Sequence, residues 1–392
     1  MARLKEGGLF RDPNNAGFRQ EVQERAATLG VPFVDASSND YLGLARGGTG
    51  RAPSGLEIVS REIRNADGLL ESEGWRGAGA SRLLGGSDVD HCSLEAALAD
   101  WVGTESALTF SSGYAGNLGV LSSVPGEADV VFSDSLNHAS IVDGCRLGRA
   151  RVSVYPHLNL DELRKRLRTE AVEGQRWVVS ESYFSMDGDS PDLVKLREIC
   201  DECDAGLIVD EAHALGVFGP VGQGLCSVAG ISPDVTLGAF GKAVGVQGGF
   251  AAGAACLREW LWNRARSFVF STAPGGTVAR RVMFHVKHVQ AEHAARMRLA
   301  AMSLDVRGRL DALGLKSIPG SHGPIIPVLI GGNEAASRAA AELRSIGVLA
   351  YPVRPPTVPQ GTARLRITLS ARMSSAEIDH LVDALGKCCR PI

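Results

Sequence analysis

Between residues 94 and 275 short, almost wholly apolar runs recur, separated by amphipathic helical patterns. The runs are SALTF, DVVFSD, RVSVYP, RWVVSESY, GLIVDEAH, VTLGAFGK and GFAAGAAC; SLEAALADWVG, LDELRKRLRTEAV and PDLVKLREICDECDA lie between several of them. A strand that is apolar throughout has both faces buried, and strand–helix alternation makes the sheet mainly parallel. The expected fold is therefore α/β, a mainly parallel sheet covered by helices on both faces. Ligands of such sheets bind at the carboxyl ends of the strands, so the residues just after each run carry most weight.

Residues 276–315 read as one long helical pattern, followed by IIPVLIG, the helix EAASRAAAELRSIG, the Pro-rich YPVRPPTVPQG, the strand ARLRITLS and a closing helix. That is the makeup of a small α+β domain. For 392 residues, the expected division is an N-terminal arm over 1–40, a large domain over 41–275 and a small domain over 276–392. The Gly/Pro-rich stretch 47–55 reads as a loop.

Composition narrows the function classes. The net charge is −3, which leaves no electrostatic footprint for nucleic acid or anionic lipid. No run approaches the ~18 apolar residues of a membrane span, and MARLKEGGLFRDPNN has no apolar leader core, so a soluble cytoplasmic protein is expected. The eight cysteines form no zinc-finger spacing; Cys200 and Cys203 fall one turn apart on a helix and read as plain thiols. His285, His288 and His293 share a helical pattern without a carboxylate cluster, so no metal site is expected. The 47 glycines, about 12% against an average near ~7%, suit tight turns and close backbone approach to a ligand.

One such turn holds Lys242, within Gly238-Ala239-Phe240-Gly241-Lys242-Ala243-Val244-Gly245, directly after an apolar run. A lysine confined there needs a charged or covalent partner. Asp210 ends another run and His213 follows it three residues later. Ser111-Ser112-Gly113-Tyr114 joins a third run to a helix, a ready-made phosphate site. His138 follows a fourth run, suited to stacking on a ring. Lysine, buried carboxylate, helix start and stacking imidazole together suit pyridoxal phosphate (PLP), which needs a lysine to bond and a carboxylate against its pyridine nitrogen. Each signal alone is weak; a loop lysine can snorkel and a strand-end aspartate can simply cap a helix.

From Ser37-Ser38-Asn39-Asp40-Tyr41-Leu42-Gly43 almost to its end the sequence resembles the α-oxoamine synthases of the aspartate-aminotransferase fold, PLP-dependent transferase fold type I. The matching stretches are Gly79-Ala80-Ser81-Arg82, Leu136-Asn137-His138-Ala139-Ser140, Phe184-Ser185-Met186-Asp187-Gly188-Asp189, Asp210 with His213, and the Lys242 loop. The resemblance implies that Lys242 bonds PLP, His138 stacks on it and Asp210 meets the pyridine nitrogen. It places His213 and Ser185 near the 3′-oxygen and Gly113 and Tyr114 at the phosphate. It makes Asn39 a substrate contact.

Arg354-Pro355-Pro356-Thr357 through Arg366 resembles the biotin-pathway branch of that family, which implies L-alanine and a pimeloyl-CoA-like thioester as substrates. Sister branches use glycine or serine with other CoA or carrier-protein donors, and a non-catalytic partner subunit is a more distant alternative. Arg364 and Arg366 share a strand face, so spacing does not choose between them; the family match favours Arg366 as the carboxylate clamp. Thr357 and, in the arm, Arg11 are further substrate contacts on the same basis. Where the family has Thr or Ser before the lysine this chain has Ala239, and Thr272 from the partner of a homodimer is the expected replacement at the phosphate.

Overall fold

The computed structural model describes residues 17–45 and 77–389, which form two compact units. Arg11 and the 47–55 stretch lie outside the described residues.

The smaller unit takes in the described N-terminal segment as far as Leu42, together with Phe184–Ser190 and the described residues from His293 on. Strand β1 (Val34–Asp35) runs parallel to a later strand, Val34 opposite Val348, so residues 17–42 form part of this unit and not a separate arm.

The larger unit is a seven-stranded sheet built from β2 (Ser106–Phe110), β3 (Val130–Asp134), β4 (Arg151–Tyr155), β5 (Arg176–Glu181), β6 (Ala205–Asp210), β7 (Val235–Ala239) and β8 (Gly249–Gly253). Their spatial order is β2-β8-β7-β6-β5-β3-β4, and β8 alone is antiparallel to its neighbours. Successive residues of β6 face opposite cores. Ile208 joins Leu108, Val179 and Leu237 on one face, while Leu207 and Val209 join Phe132, Leu163 and Leu196 on the other. Each fully buried aliphatic side chain of this kind contributes about 1.5–3 kcal/mol of transfer free energy. That two-sided burial is why the strands read as unbroken apolar runs.

The single helical pattern after 276 is two helices, Gly276–Ala291 and His293–Ala312. The first is fixed to the helix Val89–Val102, with Arg280 paired to Asp90 at 2.7 Å, and so belongs to the larger unit. The boundary expected at 276 falls at 293 for that reason.

In the smaller unit β9 (Ile325–Gly331), β10 (Val348–Leu349), β11 (Tyr351–Val353) and β12 (Ala363–Thr368) follow. β10 is the partner of β1, and β12 is the antiparallel centre of the sheet β11-β12-β9. Among the described residues no helix is long and apolar enough to cross a membrane.

Candidate active site

Four neighbouring strands of the larger unit end at Ala239 (β7), Asp210 (β6), Glu181 (β5) and Asp134 (β3). Lys242, His213 and His138 follow within a few residues of three of these ends. The parallel sheet thus delivers every larger-unit candidate except Thr272 and the Gly113–Tyr114 helix start from one set of strand termini.

Asp210 is buried, and its carboxylate is held from two sides. Oδ1 accepts the Ala212 N–H at 2.8 Å and Oδ2 accepts Asn117 Nδ2 at 2.7 Å. Glu181 stands opposite it in the β5–β6 register. Burial, reinforced by the neighbouring Asp210 charge, pushes the Glu181 carboxyl up to about 8. Its Oε1 accepts the backbone N–H of His138 at 2.7 Å. His138 caps the helix Ala139–Leu147, its Nδ1 accepting the Ser140 N–H at 3.2 Å. Burial holds the His138 imidazole below its ordinary pKa, while Asp210 and Asp143 pull it up and Lys242 pushes it down. His213 is buried in the turn after β6.

Lys242 is half-buried in a closed loop. Phe240 donates its N–H to the Gly248 carbonyl at 2.9 Å, and Gly245 to that of Lys242 at 3.0 Å. Gly245 sits at φ 75°, where a side chain would be strained and its Cβ would meet the Ala45 nitrogen at 2.6 Å. The loop is braced from below by His285, whose Nδ1 lies 2.7 Å from the Val244 carbonyl. A carbonyl only accepts, so that nitrogen carries the proton.

The helix Gly113–Leu121 opens beside these groups. Ser112 takes the Ala115 N–H on its hydroxyl and the Gly116 N–H on its carbonyl, which leaves the N–H groups of Gly113 and Tyr114 open to a ligand. A Cβ on Gly113 would lie 2.7 Å from that of Ala239, and one on Gly249 only 2.5 Å from Gly113 itself. Small residues therefore let the chain pack closely around the helix start, whose Gly113 and Tyr114 N–H groups form a cradle, and position 239 borders it without a hydroxyl. The Tyr114 hydroxyl donates to Asp143, so only the Tyr114 backbone is available to the cradle. Thr272 is exposed, in the segment preceding the helix Gly276–Ala291.

The smaller unit carries the other candidates. Both arginines of β12 are buried, at 2% exposure for Arg364 and 8% for Arg366. Arg364 is paired with Asp187, and its Nε donates to the Thr362 carbonyl at 3.0 Å. Arg366 donates only to neutral acceptors: Ser185 O at 2.6 Å, Thr368 Oγ1 at 2.7 Å and Asn39 Oδ1 at 2.9 Å. Among the described residues it has no acidic partner. Ser185 is buried, and Thr357 is exposed in the turn after β11.

The chain matches the family model described as aminotransferase class I and II over residues 57–385. The chain belongs to that family. Within it, the chain is 41% identical to the putative 8-amino-7-oxononanoate synthase 2 of Bacillus velezensis, covering 97% of this chain and 94% of the relative. It is 40% identical to 8-amino-7-oxononanoate synthase 2 of Bacillus subtilis (99% and 96% covered) and 43% identical to the 8-amino-7-oxononanoate synthase of Anaeromyxobacter dehalogenans (91% and 86%). Among solved structures it is similar to the serine palmitoyltransferase of Sphingomonas wittichii, with TM-score 0.83, 28% identity and 96% and 98% of the two chains covered. It also resembles the 8-amino-7-oxononanoate synthase of Francisella tularensis, with TM-score 0.75, 25% identity and 91% and 97% covered. These relatives make this family member an α-oxoamine synthase, a PLP-dependent acyltransferase.

The residues present fit PLP. The cradle of Gly113 and Tyr114 N–H groups suits its phosphate, the doubly held Asp210 carboxylate its pyridine nitrogen, and the half-buried Lys242 amine its carbonyl carbon. Sequence reasoning missed Glu181, Asn117, Ser140 and the bracing role of His285. Asn117 meets Asp210 across 93 residues and Glu181 meets His138 across 43, whereas Ser140 stands only two residues from His138.

Proposed function

We propose that this enzyme condenses L-alanine with a pimeloyl-CoA-like thioester, the 8-amino-7-oxononanoate synthase reaction of biotin synthesis, as a cytoplasmic homodimer. The alanine Cα bonds to the thioester carbonyl carbon, the C–S bond breaks to release coenzyme A, and the alanine carboxyl leaves as carbon dioxide. The observation that carries this reading is Arg366, a buried guanidinium without an acidic partner among the described residues, in a chain about 40% identical to proteins named for that reaction. A buried charge that neutral groups alone surround is suited to receive a carboxylate.

PLP, when bound, supplies the electron sink that makes the amino-acid Cα acidic. Arg366 binds the alanine carboxylate, with Asn39 fixing the guanidinium plane. Lys242 Nζ takes the Cα proton and later returns one. The Asp210 carboxylate accepts a hydrogen bond from the protonated pyridine nitrogen and keeps the proton there. His138 covers one ring face, and its Nε2–H donates to the thioester carbonyl oxygen as negative charge develops. His213 and Ser185 hold the 3′-oxygen side, and Gly113 and Tyr114 N–H groups hold the phosphate. Thr272 of the other protomer completes that phosphate shell in place of a hydroxyl at Ala239. Thr357 contacts the substrate, and Arg11, outside the described residues, is assigned to its acyl part.

A second reading is a serine-using sister enzyme, favoured by the higher TM-score to serine palmitoyltransferase, 0.83 against 0.75. Turnover with alanine, glycine and serine, each offered with pimeloyl, succinyl and palmitoyl thioesters on CoA and on carrier protein, separates the two. Alanine with the pimeloyl donor is expected to exceed every other pair by about 100-fold, about 2.7 kcal/mol of discrimination. A preference for serine with palmitoyl-CoA overturns the proposal.

A further inference from the structure

The His138 imidazole is joined to Asp210 by a buried chain of hydrogen bonds. Ser140 Oγ lies 2.7 Å from His138 Nδ1, Asn117 Nδ2 lies 2.8 Å from Ser140 Oγ, and the same Nδ2 lies 2.7 Å from Asp210 Oδ2. Ser140 is 1% exposed and Asn117 3%. We infer that Ser140 and Asn117 are positioning residues that hold His138 as its neutral Nε2–H tautomer and couple its orientation to that of the Asp210 carboxylate.

The direction of every proton in the chain follows from donor chemistry. An ionised carboxylate only accepts, so the Asn117 group facing Asp210 is its NH2. The second hydrogen of that NH2 occupies one of the two acceptor sites on Ser140 Oγ, whose own proton remains available to His138 Nδ1. The Ser140 backbone N–H, which can only donate, meets the same Nδ1 at 3.2 Å. Two donors therefore converge on Nδ1, and the imidazole proton must sit on Nε2. Protonating Nδ1 would set its hydrogen against the Ser140 backbone N–H, which cannot accept. The backbone side is fixed as well, by the His138 N–H to Glu181 Oε1 at 2.7 Å. The charged and titratable groups around the ring are Asp210, Lys242, Asp143 and Glu181. A serine serving only as part of a helix cap would need neither Asn117 nor the link to Asp210.

The consequence for catalysis rests on the proposed function, because the fixed Nε2–H is the donor assigned to the thioester carbonyl oxygen. The tautomer itself is measurable without substrate. In the full-length protein labelled with 15N-histidine, with and without PLP, long-range N–H correlation spectra report which ring nitrogen is protonated, and His138→Gln assigns the signal. The wild type is expected to show Nε2–H alone and a pKa below the free value near ~6.5. Ser140→Ala and Asn117→Leu are each expected to raise that pKa by about half to one unit and to admit the Nδ1–H form. In Asn117→Leu the Ser140 hydroxyl loses the donor that fixes its orientation and can turn to accept from Nδ1–H; should that variant not fold, Ser140→Ala decides alone. A wild-type proton on Nδ1, or variants with unchanged tautomer and titration, overturns the inference. A failed alanine–pimeloyl assay beside the expected spectra removes the substrate assignment and leaves the positioning chain intact.

Discussion

Arg364 and Arg366 stand two residues apart on the same face of β12, both buried, yet their surroundings oppose each other. Arg364 is neutralised by Asp187, and burial alone holds its guanidinium down to about 10. Arg366 is ringed by a carbonyl, a hydroxyl and an amide oxygen. The first arrangement is complete within the chain; the second leaves a full positive charge for something outside it. The larger unit adds a further case of the first kind, Arg82 buried against Glu95 at 2.5 Å. Of these buried arginines, the two that already have a charged partner hold the fold, and the one ringed by neutral groups marks the site.

Removing the two arginines in turn gives the largest expected effect within this comparison. Arg366→Ala should lower kcat/KM for alanine by about 100- to 1,000-fold, mostly through KM, with modest loss of stability; a charged pair lost to its substrate costs about 2–5 kcal/mol. Arg364→Ala should do the reverse. Leaving Asp187 buried and unpaired costs about 3–5 kcal/mol, seen as a fall in Tm, while KM for alanine changes little. If both variants fail in the same assay, the contrast is wrong.

Glu181 sharpens the comparison because it is a buried acid whose folded pKa, about 8, lies above its ordinary value of 4.5. Its stabilising contribution is fully present below about pH 4.5 and is lost as pH rises through 8. Denaturant unfolding of Glu181→Gln followed between pH 5 and 8 should therefore show a flatter stability profile than wild type. An identical slope would mean Glu181 is already ionised.

The smallest effect concerns Ala239. Thr272→Ala is expected to weaken PLP retention by about tenfold, the scale of one charge-assisted hydrogen bond. Ala239→Ser, which places a hydroxyl beside Gly113, should recover part of it. Equilibrium dialysis of the cofactor reads both, and a monomer that retains PLP fully would contradict the shared phosphate shell.

The strands were legible because a doubly covered sheet writes apolar runs, and Lys242, Asp210, His213 and His138 were legible because each follows such a run. The partners of these residues were not. Glu181 meets the His138 backbone and Asn117 meets Asp210 only once β3, β5 and β6 lie side by side, across 43 and 93 residues of chain. Nor could spacing separate Arg364 from Arg366, since the difference lies in Asp187 and Asn39, both distant in sequence. The unit boundary was misplaced because Glu292 breaks the helical pattern without a glycine or proline to announce it. His285 carried no role in the sequence beyond its place in a helical pattern, while its proton is committed to the Val244 carbonyl, 41 residues away.

Borohydride reduction of the PLP-loaded enzyme, followed by peptide mapping, tests the central claim most directly. The account predicts the cofactor bonded to Lys242 alone, with Lys242→Ala taking no label and losing condensation by at least about 1,000-fold while keeping its fold. Label on any other lysine, or full turnover by Lys242→Ala, would contradict it.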